Sequence, residues 1–142
     1  MIKNFFVAII IYLFISSSQA EIVKKIVING NNRVSDETIA VYGDIKTNKD
    51  YSEIDLNNIL KNLYSTEFFE NVDLSLKNQI LNINVKEYPI VNQLILIGEK
   101  RKGYKEEIKK LIKLKEKKSF IKADLSNDIE IIKKLHSSLG FN

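Results

Sequence analysis

The chain of 142 residues contains no cysteine, one histidine, one proline and five glycines. Without cysteine there is no disulfide, no lipid-modified cysteine and no thiolate metal site. The lone His136 lies in an amphipathic stretch, where Tyr64 stands in a similar stretch earlier in the chain, so it reads as a surface or core-edge residue rather than a catalyst. Gly98 and Gly103 are isolated, which leaves no phosphate-cradling glycine pattern. The carboxylates are plentiful, but no spacing among them singles out an acid/base pair. The chain is therefore expected not to be an enzyme and to hold no cofactor and no metal.

Long apolar runs are scarce as well. FFVAIIIYLFI, from Phe5 to Ile15, follows Lys3 and precedes Ser16, Ser17, Ser18, Gln19 and Ala20. A short basic end, an apolar core and small residues at a cut after Ala20 make residues 1–20 a secretory signal peptide. An uncleaved anchor is the alternative reading, but eleven residues at about 1.5 Å each fall well short of roughly 30 Å of hydrocarbon. Export into a bacterial envelope compartment follows. Charge of one sign is not strongly in excess either, with 22 basic and 18 acidic residues. The bases concentrate between Lys100 and Lys118 with Glu106, Glu107 and Glu116 among them, as on a solvated helix face. Without a series of stacking aromatics among the bases, no nucleic-acid partner is expected.

What the chain does have is a repeat. VKKIVINGN at 23–31 resembles VNQLILIGE at 91–99, and ILKNLYSTEFFEN at 59–71 resembles IIKKLHSSLGFN at 131–142. Pro89 fixes its own φ and pushes Tyr88 toward extended geometry, which marks a boundary between the copies. The expected domains are 21–88 and 89–142.

In the first copy, the β-branched run Ile22 to Asn29 predicts a strand that ends in the turn Asn29-Gly30-Asn31. Ser35 stands at an N-cap position before Asp36 and Glu37, and a short helix is predicted to Tyr42 with its stop at Gly43. Ser52 and Asp55 have capping-box spacing ahead of a longer helix carrying Leu56, Ile59, Leu60 and Leu63 on one face. Val72, Leu74 and Leu76 alternate with polar residues, as do Leu81, Ile83 and Val85, and Lys77-Asn78-Gln79 joins the two runs as a hairpin. Phe68 and Phe69 sit where the helix hands over to the hairpin, and there they can fill the corner of the core. The fold class is α+β: tandem β-α-α-β-β two-layer domains, each a three-stranded mixed sheet covered by two helices.

INGNNRVSDETI at 28–39, YSEIDLNNILKNLYSTEFFENVDLSL at 51–76 and LNINVKEYPIV at 81–91 resemble the polypeptide-transport-associated (POTRA) repeats of outer-membrane β-barrel assembly factors. The second copy is similar to a following repeat, more loosely. The resemblance implies a periplasmic module that receives unfolded outer-membrane proteins, docks accessory assembly lipoproteins, and reaches the outer membrane through a C-terminal barrel absent from this chain. It also implies work done by binding. An uncovered sheet edge offers unpaired N–H and C=O groups to an extended client. The candidate edge is the strand Val72, Asp73, Leu74, Ser75 and Leu76, with Val72, Leu74 and Leu76 filling the core and Asp73 and Ser75 facing out. The groove between this strand and the second helix is the other candidate surface.

The second copy is expected to have its first strand and both helices but to lack its last two strands. A hairpin like the first covers five or six apolar side chains at roughly 1.5–3 kcal/mol each, comparable with the whole stability of a small domain. The second domain is thus expected to be incomplete and the chain to be part of a longer gene product. Autotransporter-assembly factors, two-partner secretion transporters and division proteins carry the same module. A division protein would keep an uncleaved anchor behind a longer tail, and a secretion transporter usually places other elements before its first repeat.

Overall fold

The structure is a computed structural model that describes residues 21–140. The signal-peptide reading of residues 1–20 lies outside them, as do Phe141 and Asn142.

The β-branched run at the start forms two strands rather than one, β1 (Glu21–Val23) and β2 (Lys25–Asn29). They separate at Lys24 because they serve different partners. The short β3 (Lys49–Tyr51) pairs antiparallel with β1, whereas β2 runs parallel to β5 (Ile80–Glu87). The amides of Lys24 and Lys25 both donate to the Gln79 carbonyl at the change of direction, at 2.8 and 3.2 Å. At the far end of β2, Gly30 has φ +87°, and a Cβ there would lie 2.0 Å from the Val85 carbonyl oxygen. Only glycine permits both the conformation and the approach.

Ser35 caps the first helix, α1 (Asp36–Gly43), by accepting from the Thr38 amide. The helix stops at Gly43, as expected. Asp44 takes the left-handed conformation, at φ 50°, while Gly43 is buried and a Cβ on it would meet Ile45 Cδ1 at 2.6 Å. Gly43 is needed for its size, not for its dihedral freedom.

The second helix, α2 (Glu53–Ser65), begins with the complete capping box. Ser52 Oγ accepts from the Asp55 amide at 3.3 Å, and the Asp55 carboxylate accepts from the Ser52 amide at 2.9 Å. The shorter acid is therefore sufficient. At its end, Thr66 Oγ1 donates to the Leu63 carbonyl and accepts from the Phe68 amide, and Glu67 turns the chain at φ 57°. This is how the helix reaches β4 (Phe69–Lys77) without a glycine or proline. Phe69 is buried, with Phe68 edge-on to it and to Tyr42. Asn78 and Gln79, both with positive φ, make the two-residue turn between β4 and β5.

The sheet order is β2-β5-β4, parallel on one side of β5 and antiparallel on the other. Ile39, Ile59 and Leu63 from the helices meet Phe69, Val72, Leu81, Ile83 and Val85 from the sheet in one buried cluster. The layer arrangement is the α+β one expected from the alternation of helical and strand periodicity.

The second half carries α3 (Lys102–Leu111) and α4 (Lys122–Ser138). The strand expected at 91–99 does not form; Val91–Gly98 has no strand partner, and Ile95 and Ile97 are 63% and 90% exposed. In the first half β2 is held by β5, and among the described residues nothing lies beside Val91–Gly98 to play that part. The β1–β3 ribbon does have a counterpart. Val91 donates to the Lys118 carbonyl at 2.9 Å, Lys117 to the Val91 carbonyl and Phe120 to the Pro89 carbonyl at 2.7 Å each, around the bridge between Ile90 and Ser119. In the first half Asn48 likewise donates to Val23, and Asn48 and Lys117 share a left-handed backbone, at φ 60° and 63°. α3 and α4 are tied by Asp128, whose buried carboxylate accepts from the amides of Lys113 and Leu114 at 2.7 and 2.8 Å.

Candidate binding edge

β4 is an outer strand of the three-stranded sheet. Its register with β5 is regular from Asn71 to Lys77 and irregular only between Phe69 and Asn71. In such a pair, residues alternate between those that exchange bonds with the partner strand and those whose N–H and C=O point away. The Val72 amide donates to the Tyr64 hydroxyl at 3.0 Å, so Val72 belongs to the outward set. Leu74 and Leu76 belong to it too, by the same alternation. Asp73, Ser75 and Lys77 bond to β5 instead, opposite Asn84, Asn82 and Ile80.

Side chains alternate in the other direction. Val72 is buried and Leu74 and Leu76 are packed against the core, while Asp73 is exposed and Ser75 half-buried on the opposite face. The structure thus places the five residues from Val72 to Leu76 at an edge, with three outward backbones and three inward side chains. The expected groove between β4 and α2 is crossed near Val72 by Tyr64.

Sequence reasoning missed the fastening of this sheet to the loop before α1. Glu87, at the end of β5, accepts from the amides of Asn32, Arg33 and Val34 at 2.9 to 3.0 Å and from Arg33 Nε at 2.9 Å. Arg33 also donates to the Tyr88 carbonyl at 2.7 Å. Burial pushes the Glu87 carboxyl pKa up, but the donors from Val34, Arg33 and Asn32, with the guanidinium charge, outweigh it and leave the value lowered. The signal was present as one acid in VKEYP and one arginine in NNRVS, too far apart in sequence to suggest contact. Among the described residues no group of three or more acidic or histidine side chains could hold a metal ion.

A mixed sheet of this order, roofed by two helices and entered through a short ribbon, defines a POTRA-type module. The chain belongs to the POTRA family, whose model, described as a surface antigen variable number repeat, matches residues 21–88 and 89–142. Among curated proteins it is similar to the outer membrane protein assembly factor BamA of Neorickettsia risticii (strain Illinois), 34% identical over 89 residues, covering 62% of this chain and 12% of that protein. BamA of Buchnera aphidicola subsp. Acyrthosiphon pisum (strain APS) is 27% identical over 100 residues, covering 69% of this chain and 16% of that one. The chain therefore spans only a small part of the length of these relatives. Among solved structures, the N-terminal domain of Omp85 from Thermosynechococcus elongatus superposes with a TM-score of 0.57 at 13% identity, over 84% of this chain and 52% of that one. POTRA1-2 of the periplasmic domain of Omp85 from Anabaena gives 0.54 at 14% identity, over 87% and 83%. These two likenesses bear on the fold. No helix among the described residues is long and apolar enough to cross a membrane.

Proposed function

We propose that the chain is the periplasmic POTRA region of an outer-membrane β-barrel assembly factor. In this reading residues 1–20 direct export, 21–88 and 89–142 are successive domains, and accessory lipoproteins and unfolded outer-membrane proteins are the partners. The work is binding, with no bond made or broken in the client. The observation that carries the reading is the outward backbone of Leu74 and Leu76 on β4, in a chain whose relatives bear the name of an assembly factor. An extended client adds to that edge as a further strand, and its main chain supplies the bonds, so widely different client sequences are accepted. Asp73 and Ser75 meet alternate client side chains on the open face.

The test is co-purification of several unrelated unfolded outer-membrane proteins by the chain from residue 21 to 142. Comparable enrichment of all of them is expected. Recovery no better than with an unrelated α+β domain would remove the proposal.

A further inference from the structure

We propose that Tyr64 gates the β4 edge, an inference that rests on reading this edge as a strand-pairing surface. The Tyr64 hydroxyl accepts from the Val72 amide at 3.0 Å and stands 3.4 Å from the Val72 carbonyl oxygen, to which it donates. A strand laid along β4 would meet Val72 with the same pair: one acceptor for the outward N–H and one donor for the outward C=O. A phenol offers both on one atom. Tyr64 therefore does at Val72 what one residue of an incoming strand would do.

The occupant it stands in for is an extended polypeptide. Outward groups recur at every second residue, about 6.6 Å apart, which is the repeat of another strand's backbone. A folded surface presents such a row only where a sheet edge is left bare. The irregular pairing between Phe69 and Asn71 ends the regular edge just before Val72, so Val72, Leu74 and Leu76 are its outward positions. Tyr64 covers the first, and no described residue covers the other two. The gate can open because Tyr64 is 43% exposed, while its neighbour Leu63, fully buried, keeps α2 in place. With the ring seated, a client pairs at Leu74 and Leu76; with it displaced, pairing runs on to Val72. A seated ring also shortens the bare edge that a second copy of the chain could join.

The experiment uses ¹⁵N amide spectra of the chain from residue 21 to 142, titrated with a capped peptide of alternating valine and threonine flanked by lysines. Wild type is compared with Tyr64→Phe, which keeps the ring and removes the hydroxyl. In the wild type, shifts are expected at Leu74 and Leu76 with Val72 little moved. In Tyr64→Phe, all three move and the peptide binds roughly three- to tenfold more tightly, the worth of one additional edge pairing. A side chain with a merely structural role would weaken binding when altered. Equal affinity with the same amides moving in both proteins overturns the gate and leaves the edge reading standing. No movement of any β4 amide in either protein overturns both. Shifts that follow protein rather than peptide concentration assign the edge to a second copy and overturn the gate for clients.

Discussion

The two halves of the molecule start from the same plan and differ in what lies beside the first apolar segment. Lys25–Asn29 has β5 alongside and is a strand; Val91–Gly98 has a similar sequence but no strand alongside it among the described residues, and is not. The ribbon, the paired helices and the left-handed turns at Gly30 and Gly98 appear in both halves. Local chemistry thus survives without the sheet, and strand structure does not. A β-rich segment is a fit to a partner more than a preference of the backbone.

Glycine provides the largest contrast. Gly30 and Gly98 have nearly the same φ, +87° and +91°, but a Cβ on Gly30 would strike the Val85 carbonyl, whereas one on Gly98 would meet nothing within 4 Å. Gly30→Ala is expected to cost more than about 4 kcal/mol, most of the stability of a domain this size, and Gly98→Ala only about 1 kcal/mol of backbone strain. Urea unfolding followed by amide spectra of each half reads both. Equal losses would mean that the strand next to Gly30 contributes nothing.

Leucine sharpens the same comparison. Leu63 is fully buried in the cluster under the sheet, while Leu135, its counterpart on α4, is half-buried. Leu63→Ala should cost about 3–5 kcal/mol and Leu135→Ala less than about 2 kcal/mol, measured in the same unfolding experiment. A Leu135→Ala loss as large as that of Leu63→Ala would mean that Leu135 is packed far more deeply than its half-buried position in the structure.

Glu87 yields a pH signature confined to the first half. Its carboxyl pKa is lowered on folding from the ordinary 4.5, so the ionised form stabilises the fold. That contribution is complete above the unfolded value, declines as pH falls below about 4.5, and is lost once pH passes the folded value. Glu87→Gln should cost about 2 kcal/mol at neutral pH and flatten this part of the profile, because three backbone donors lose their charged acceptor. Stability profiles of wild type and variant that stay parallel down to pH 3 would contradict it. The smallest effect is expected where the halves touch. Lys113 Nζ lies 3.0 Å from Glu67 and 3.1 Å from Asp124, with the lysine and Glu67 well exposed. Lys113→Ala should leave the unfolding midpoint of the first half within experimental scatter at any salt concentration, as for most surface ion pairs.

Residues close in sequence made much of the fold legible. The Ser35 cap, the Ser52–Asp55 box, the turn at Asn78-Gln79 and the apolar faces of α2, β4 and β5 each follow from a pattern a few residues long. The β1–β3 ribbon was not legible, because three-residue strands carry no periodicity. The helix stop at Gly43 was legible, but the close approach of Ile45 to it was not, because that contact exists only in the folded turn. The site was half legible: alternation identified the inward side chains of β4, but its position at the edge and the Tyr64 contact depend on strand order. The Glu87 clasp joins residues more than fifty apart in the chain.

Isotope-edited NMR of the chain bound to a ¹³C-labelled segment of an unfolded outer-membrane protein addresses the role of β4 directly. Cross-strand contacts from the client backbone to Leu74 and Leu76, in an unbroken alternating series, are the expected result. Contacts that instead collect on the helices, on β2 or on Ile95 and Ile97, with Leu74 and Leu76 silent, would contradict it.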